Sequence, residues 1–335
     1  MRAVLVSEPE VLGLVERPDP TPAAGEVLVR SRVMGLCHTD VDILHGRLEP
    51  GWVDYPCIPG HEWAGVVVRL GDGVGDLRPG QTVVAEGHLP CLRCRHCLAG
   101  ETNLCLNYRQ LGFTLPGGGA ELVLVPRPFV HPIAAGIDPE EAVLIEPAAS
   151  VVRMLRRLAV QPGEHLGVIG VGTLGAAAIL LGRLGGAHVT AVGIRPAELA
   201  LAEQLGAERA VDASTGSEND RPFDVVIETA GAVPAVMTAL HTVRRGGRAG
   251  LLGLAGAGQE LRIAADRFAN DDITVIGGAS YDRPAWARTV AMVNERRLDL
   301  RPLIGARFDL DDHAAAYAAV EGRVGSGRTL VVHAA

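Results

Sequence analysis

Short apolar runs that alternate with polar residues dominate the first 145 residues, and glycine and proline separate them. Such runs between turn signals predict a mainly antiparallel β domain. From about residue 150 the pattern changes to strand, glycine turn and alanine-rich helix, repeated along the chain. This alternation predicts βαβ units and an α/β fold with a doubly wound parallel sheet. The predicted strands are AVLV, EVLVRSRV, WAGVVVRL, QTVVA and AELVLVP, then HLGVIG, HVTAVG, FDVVIETAG, RAGLLGLAG and ITVIGGAS.

Chain length and the same patterns predict the domain boundaries. A chain of 335 residues exceeds the size at which one hydrophobic core usually stops growing, so two domains are expected. The helical segment and the strand GRTLVVHA that follow Trp286 are expected to return to the first domain. We therefore predict one domain from residues 1–148 and 286–335, and a second from residues 149–285.

Composition and charge exclude several classes of function. Hydrophobic residues make up 48% and charged residues 21%, as in soluble folded proteins, and the net charge of −8 argues against nucleic-acid binding. The segment MRAVLVSEPE lacks an apolar signal core, and no apolar run is long enough for a membrane helix, so a cytoplasmic protein is expected. All 31 basic residues are arginine, which excludes Schiff-base chemistry and the usual phosphate-binding loop.

A glycine motif follows the apolar run HLGVI directly. Gly170, Gly172 and Gly175 form G-x-G-x-x-G and lead into an alanine-rich helix, with Thr173 and Leu174 inside the motif. Glycine permits a tight turn and close approach of a pyrophosphate, and the helix N-terminus offers free N–H groups to it. The alternative is a turn that is merely close-packed. The position of the glycine motif in a βαβ unit favours a Rossmann dinucleotide site.

The end of the next strand bears on the choice of cofactor. The acid that usually binds the ribose hydroxyls is missing there, since Gly193 takes its place and Arg195 follows. Glycine leaves room for a 2′-phosphate, no carboxylate at that position repels it, and a guanidinium can bind it. The alternative is an exposed arginine at the start of a helix whose first residue is Pro196. We predict that NADP(H) is preferred and that NAD(H) is possible.

Four of the six cysteines lie in one segment, which suggests a metal site. The spacing C-x2-C-x2-C-x7-C can close a tetrahedral zinc site with no open position, so we predict a structural zinc. Its expected role is to fasten a loop of little apolar content. The predicted ligands are Cys91, Cys94, Cys97 and Cys105.

A second group of metal-ligating residues is spread along the chain. Cys37 lies in GLCHTD, and His61 and Glu62 lie in PGHE. A third ligand from Glu146 in LIEP would leave one coordination position for water or substrate, which indicates a catalytic zinc. Such an ion acts as a Lewis acid on a substrate alcohol.

These motifs resemble the zinc-containing medium-chain alcohol dehydrogenase family, particularly its sorbitol and threonine dehydrogenase branch. The resemblance runs in order through GLCHTD, PGHEWAGVV, CLRCRHCLAGETNLC, LGFTLPGGGAELVLVP, IEPAASV, GVGTLG and GRTLVV. It implies a GroES-like catalytic domain beside a Rossmann domain, two zinc ions per subunit, and a homodimer or homotetramer. It also implies that Cys37, His61 and Glu146 hold the catalytic zinc, with Glu62 as an alternative or exchanging ligand.

The resemblance implies further roles for polar residues around this zinc. Asp40 would orient His61, and Thr39 would take the proton of the substrate hydroxyl. His38 and Arg328 would contact the cofactor pyrophosphate. Where many members of the family end the proton relay with a histidine, this chain has Asp42, so the proton passes to Asp42, His45 or solvent.

The function predicted from the sequence is NADP(H)-linked dehydrogenation of a secondary alcohol, polyol or cyclitol, or reduction of the corresponding ketone. The alternatives are an NAD-linked polyol, aminocyclitol or threonine-type dehydrogenase, and a non-catalytic protein of the same fold that keeps only a structural zinc. Intact Cys37, Thr39, His61 and Glu146 argue against the last of these.

Overall fold

The chain forms two structural units in a computed structural model that describes residues 1–215, 223–256 and 258–334. One unit combines Met1–Glu146 with Trp286–Ala335, and the other is Pro147–Ala285. None of the described helices is long and apolar enough to cross a membrane.

The strands and helices are numbered in chain order. The strands are β1 (Arg2–Glu8), β2 (Val11–Glu16), β3 (Glu26–Leu36), β4 (Glu62–Leu70), β5 (Thr82–Ala85), β6 (Leu122–Pro126), β7 (Val130–Pro132), β8 (His165–Ile169), β9 (His188–Gly193), β10 (Arg209–Asp212), β11 (Phe223–Glu228), β12 (Val243–Leu251), β13 (Thr274–Gly277), β14 (Ile304–Asp309) and β15 (Arg328–Val332). The helices are α1 (His38–Leu44), α2 (Arg95–Leu98), α3 (Pro139–Ala142), α4 (Ile145–Arg157), α5 (Thr173–Leu184), α6 (Pro196–Gln204), α7 (Val233–Thr242), α8 (Asp266–Asn270), α9 (Arg283–Asn294) and α10 (His313–Glu321).

The first unit is built on a mixed sheet in which antiparallel pairs predominate, as the sequence predicts. Its strand order is β14-β15-β3-β4-β5-β7, with β6 also paired to β3, and only β14 and β15 run parallel. Valines of β3, β5 and β6 that point to one side of the sheet form its core, because alternate residues of a strand share one face. The buried valines are Val27, Val29, Val83, Val123 and Val125.

The second unit contains a parallel sheet, which confirms the predicted doubly wound class. Its order is β10-β9-β8-β11-β12-β13, with every pair parallel. This is the strand order 3-2-1-4-5-6 of the Rossmann fold, which reverses between its first and fourth strands. Here those strands are β8 and β11, so the carboxyl ends of β8 and β11 define the expected ligand crevice.

Several strands lie outside the runs that the sequence predicts. Among them, β7, β10 and β14 stand at the edges of their sheets and are mostly only part-buried. An edge strand bonds to one neighbour only and needs less apolar surface than a central strand. Its residues therefore lack the alternation on which the prediction depends.

Candidate functional site

Cys37 lies at the junction of β3 and α1, and the same short segment both starts the helix and positions the sulfur. The Cys37 Sγ accepts a hydrogen bond from the Thr39 backbone N–H at 3.3 Å. In return, the Asp40 carboxylate accepts the Cys37 backbone N–H at 2.9 Å. This reciprocal pair is a capping box in which cysteine replaces the usual serine or threonine. The segment CHTD therefore fixes the Cys37 side chain through its own hydrogen bonds.

His61 and Glu62 enter the same cluster at the start of β4. The Cys37 Sγ lies 3.5 Å from His61 Nε2, and that nitrogen lies 3.8 Å from Glu62 Oε1. One ligating atom from each of these three residues lies within 4.8 Å of the others. Close approach requires glycine at Gly35, because a Cβ there would lie 2.7 Å from Glu62 Oε2.

Asp40 lies behind His61, as the resemblance implies. Its Oδ1 lies 3.4 Å from His61 Nδ1, and the Asp40 side chain is fully buried. Burial disfavours charge on His61, but the Asp40 carboxylate and the Cys37 sulfur together outweigh burial and raise the pKa of His61 well above its ordinary range. An acid in this position selects the His61 tautomer that leaves Nε2 pointing toward Cys37 and Glu62.

Arg328 begins β15 and is buried against Glu62, a contact that sequence reasoning missed. Its Nε lies 3.0 Å from Glu62 Oε2, and an Nη donates to the carbonyl oxygen of Leu36 at 3.2 Å. Burial raises the pKa of Glu62, while the Arg328 charge opposes that rise. The structure thus directs the guanidinium of Arg328 toward Glu62, whereas His38, the other predicted pyrophosphate contact, is exposed.

Glu146 lies in the first turn of α4 and is buried, but it is not part of the three-residue cluster. Burial and the nearby Glu62 carboxylate raise the pKa of Glu146 to about 8. A buried acid whose pKa is raised by a neighbouring carboxylate is an arrangement that a divalent cation would stabilise. In the described residues, the carboxylate that lies with Cys37 and His61 is that of Glu62.

His45 and Asp42, the residues considered for the end of the proton relay, differ in how closely they pair with other charged side chains. His45 lies between two acids, with Nδ1 2.7 Å from Glu10 and Nε2 3.0 Å from Glu321. Asp42 is partly exposed and lies 3.8 Å from Arg47. Asp42 therefore keeps the closer connection to solvent on the helix that also carries Thr39.

The four-cysteine loop has the geometry that its spacing predicts. The four sulfurs lie within 4.8 Å of one another. Backbone amides support them, since the N–H groups of Cys91 and Asn107 both donate to Cys105 Sγ, at 3.2 and 3.3 Å. Hydrogen bonds from the backbone and from Asn107 lower the pKa of the Cys91 thiol to about 6, which favours the thiolate that binds metals.

The glycine motif forms a tight turn between β8 and α5. Gly170 adopts φ +89°, and a Cβ on Gly175 would lie 1.9 Å from the Gly170 carbonyl oxygen. The Thr229 hydroxyl, at the end of β11, donates to that oxygen at 2.8 Å. Sequence reasoning missed Thr229. This residue connects the turn to β11, the neighbour of β8 in the sheet, at the place where the strand order reverses.

The segment after β9 differs from expectation in one respect. β9 ends at Gly193, and Arg195 precedes the helix that begins at Pro196, as predicted. However, the Arg195 guanidinium pairs with the carboxylate of Glu198 in the first turn of α6. The expectation that no carboxylate opposes a 2′-phosphate here overlooked Glu198, because that acid stands three residues further along the chain.

Comparisons with known proteins agree with this fold. Residues 23–135 match the model of the alcohol dehydrogenase GroES-like domain, and residues 173–295 match that of the zinc-binding dehydrogenase. An L-threonine 3-dehydrogenase from Rhizobium rhizogenes is 32% identical over 332 residues, covering 96% of this chain and 95% of the relative. A sorbitol dehydrogenase from Halalkalibacterium halodurans is 26% identical, covering 91% of each.

A solved structure is also similar along nearly the whole chain. It is described as a zinc-binding dehydrogenase from Sinorhizobium meliloti bound to NADP, and it superposes with a TM-score of 0.93 at 28% identity. The alignment covers 99% of this chain and 98% of that one. The chain belongs to the zinc-containing medium-chain alcohol dehydrogenase family, and it is an oxidoreductase that acts on CH–OH donors with a nicotinamide cofactor.

Proposed function

We propose that this protein is an NADP(H)-linked dehydrogenase of a secondary alcohol, polyol or cyclitol, and that it also reduces the corresponding ketone. The observation that carries the proposal is the cluster of Cys37, His61 and Glu62, in which one ligating atom of each lies within 4.8 Å of the others. A soft sulfur, an imidazole and a carboxylate are a donor set that zinc accepts with a coordination position left open.

The residues present fit a catalytic zinc. Cys37 and His61 would hold the ion, and the third ligand is either Glu62 or Glu146. Glu62 is favoured by its position in the cluster, and Glu146 by burial beside Glu62, which raises its pKa to about 8 in the absence of a cation. A bound zinc supplies Lewis acidity toward the substrate oxygen.

The remaining steps belong to side chains of this unit. Asp40 fixes the ring of His61 from behind, at 3.4 Å. The Thr39 hydroxyl, in the first turn of α1, would receive the hydroxyl proton of the substrate while its own proton passes toward Asp42 and solvent. Arg328 compensates the charge of Glu62 at 3.0 Å and so lowers the cost of keeping several acids buried together.

A second, structural zinc is assigned to Cys91, Cys94, Cys97 and Cys105. Four sulfurs within 4.8 Å of one another fill a tetrahedral site, and no position is left for substrate. The predicted content is therefore two zinc ions per subunit, one of which exchanges readily.

The preference for NADP(H) rests on Gly193 and Arg195. A Cβ at Gly193 would lie 3.2 Å from Leu199 and 3.4 Å from Val171, so the space beside the ribose site is narrow and glycine keeps it open. The similar Sinorhizobium meliloti protein is bound to NADP. The glycines of the turn from Gly170 to Gly175 allow close approach of the pyrophosphate, which both cofactors contain.

A second candidate, an NAD-linked polyol or threonine-type dehydrogenase, is favoured by the relatives described as L-threonine 3-dehydrogenase and sorbitol dehydrogenase. The Glu198 carboxylate beside Arg195 favours it too, because it reduces the positive charge offered to a 2′-phosphate.

The test is a panel of secondary alcohols, polyols, cyclitols and L-threonine, each assayed with NADP and NAD by absorbance of the reduced cofactor, together with zinc content. Two zinc ions per chain and faster turnover of an alcohol with NADP are expected. Faster turnover with NAD would select the second candidate. One zinc and no binding of either reduced cofactor would contradict both and indicate a non-catalytic protein.

A further inference from the structure

The first turn of α6 carries a buried acid opposite the arginine that we assign to the 2′-phosphate. Glu198 is the third residue of the helix, and its side chain is only 8% exposed, against 35% for Arg195. An Nη of Arg195 donates to Glu198 Oε1. The acid therefore meets the guanidinium at one of its terminal nitrogen atoms.

A buried carboxylate needs a charge partner, and removal of that partner is costly. Arg195 is the charged group that pairs with Glu198 in the described residues. A cofactor 2′-phosphate carries between one and two negative charges near neutral pH. Such a phosphate must either share the guanidinium with Glu198 or displace it, and in both cases it lies close to a like charge.

We propose that Glu198 is a specificity-determining residue that opposes Arg195 and limits the preference of this enzyme for NADP(H). The inference rests on the proposed assignment of Arg195 to the 2′-phosphate. Gly193 opens the site and Arg195 attracts the phosphate, while Glu198 offsets part of that attraction. The outcome is an enzyme whose affinities for the two cofactors differ less than Gly193 and Arg195 alone predict.

The opposite role for Glu198 would be to orient Arg195 for the phosphate. The two roles predict effects of opposite sign. If Glu198 opposes binding, neutralising it strengthens the contact with the phosphate. If it only orients the guanidinium, neutralising it weakens that contact. Burial of Glu198 favours opposition, because a poorly solvated charge acts on its neighbours with little screening.

The test compares binding of 2′,5′-ADP and 5′-AMP to the full-length, zinc-loaded protein by isothermal titration calorimetry. These probes differ in the 2′-phosphate alone and require no turnover. In Glu198→Gln, 2′,5′-ADP is expected to bind roughly tenfold more tightly, a change of about 1.4 kcal/mol, while binding of 5′-AMP stays within about twofold. Unchanged or weaker binding of 2′,5′-ADP would overturn the proposal.

The matched control is Glu203→Gln, which removes the same charge from an exposed position on the same helix. It is expected to change neither affinity by more than about twofold, because exposed charges are screened. An equal gain in this control would attribute the effect to net charge and overturn the role of Glu198. Glu198→Ala repeats the test with a shorter side chain, and thermal melting identifies any variant that fails to fold.

Arg195→Ala separates this inference from the proposed function. If the wild type binds both probes equally and Arg195→Ala changes neither, the predicted NADP(H) preference fails. A gain in Glu198→Gln would then still support the role of Glu198, provided that most of the gain is lost in the double variant with Arg195→Ala. A gain that persists in full in the double variant would overturn it, since Glu198 would then not act against Arg195.

Discussion

The two groups of metal-ligating side chains in the first unit are built in different ways. The sulfurs of the four-cysteine loop come from one short segment, and three of the four cysteines are only part-buried. The cluster around Cys37 instead brings together the end of β3, the start of β4 and the start of β15, and its acids are almost fully buried.

This difference indicates which site needs metal for folding and which needs it for chemistry. The loop exposes its leucines and has little core of its own, so the proposed metal would replace missing apolar contacts. The Cys37 cluster is positioned by a capping box and by paired strands, whose hydrogen bonds hold its side chains in place. Loss of metal from the loop should therefore lower stability, and loss from the cluster should abolish turnover.

The largest effect is expected from Cys37→Ala and His61→Ala. Each removes a proposed ligand of the catalytic zinc, whose Lewis acidity contributes several kcal/mol, so kcat/KM should fall on the order of 10³-fold or more. The melting temperature should change far less than turnover, because strands β3 and β4 remain paired although Cys37→Ala also removes the cap of α1. Steady-state kinetics and thermal melting measure both quantities.

The matched control for this pair is Cys57→Ser. Cys57 is another cysteine of the first unit, but it is buried, its Sγ donates to the Gly112 carbonyl oxygen at 3.2 Å, and it is not part of the cluster. Serine keeps that donor, so turnover should be largely retained. If Cys57→Ser and Cys37→Ala lost turnover equally, the proposal that Cys37 is a ligand of the catalytic zinc would be contradicted.

The second effect is on stability and comes from Cys94→Ala. Isolated zinc-finger peptides gain about 10–16 kcal/mol from their metal. If Cys94→Ala loses about 5 kcal/mol of this free energy, no more than half of it, the melting temperature falls by roughly 10–20 °C. The fraction that stays folded should keep most of its turnover. Arg93→Ala, at an exposed position of the same loop, is the control and should melt like the wild type. Loss of turnover without loss of stability would reverse our assignment of the two sites.

A smaller effect is expected from Asp40→Asn. The Asn oxygen can still accept the Cys37 N–H, but its amide nitrogen then faces His61 Nδ1 and favours the wrong tautomer. Loss of such an outer contact typically reduces metal affinity or activity about 10- to 100-fold. Zinc competition with a chromophoric chelator measures the affinity. Asp54→Asn, at an exposed position, should leave it unchanged. Unaltered zinc affinity in Asp40→Asn would mean that Asp40 serves only to cap α1.

The sequence was sufficient for features that depend on near neighbours and insufficient for those that depend on distant contacts. The glycine turn at Gly170 follows from local spacing, and the structure has it. The contact of Arg328 with Glu62 joins residues that no local pattern connects. Glu198 could have been found from sequence, because an acid three residues after Arg195 on a helix lies on the same side of it.

The smallest effect is expected from Asn107→Ala, the counterpart of Asp40→Asn in the four-cysteine loop. Asn107 donates from its side chain to Cys91 Sγ at 3.5 Å and lies at the exposed surface. Its backbone N–H, which donates to Cys105 Sγ at 3.3 Å, survives the substitution. Zinc affinity of the loop should therefore fall by less than about tenfold, since solvent replaces the lost donor. A loss as large as that in Asp40→Asn would show that exposure does not distinguish the two sites.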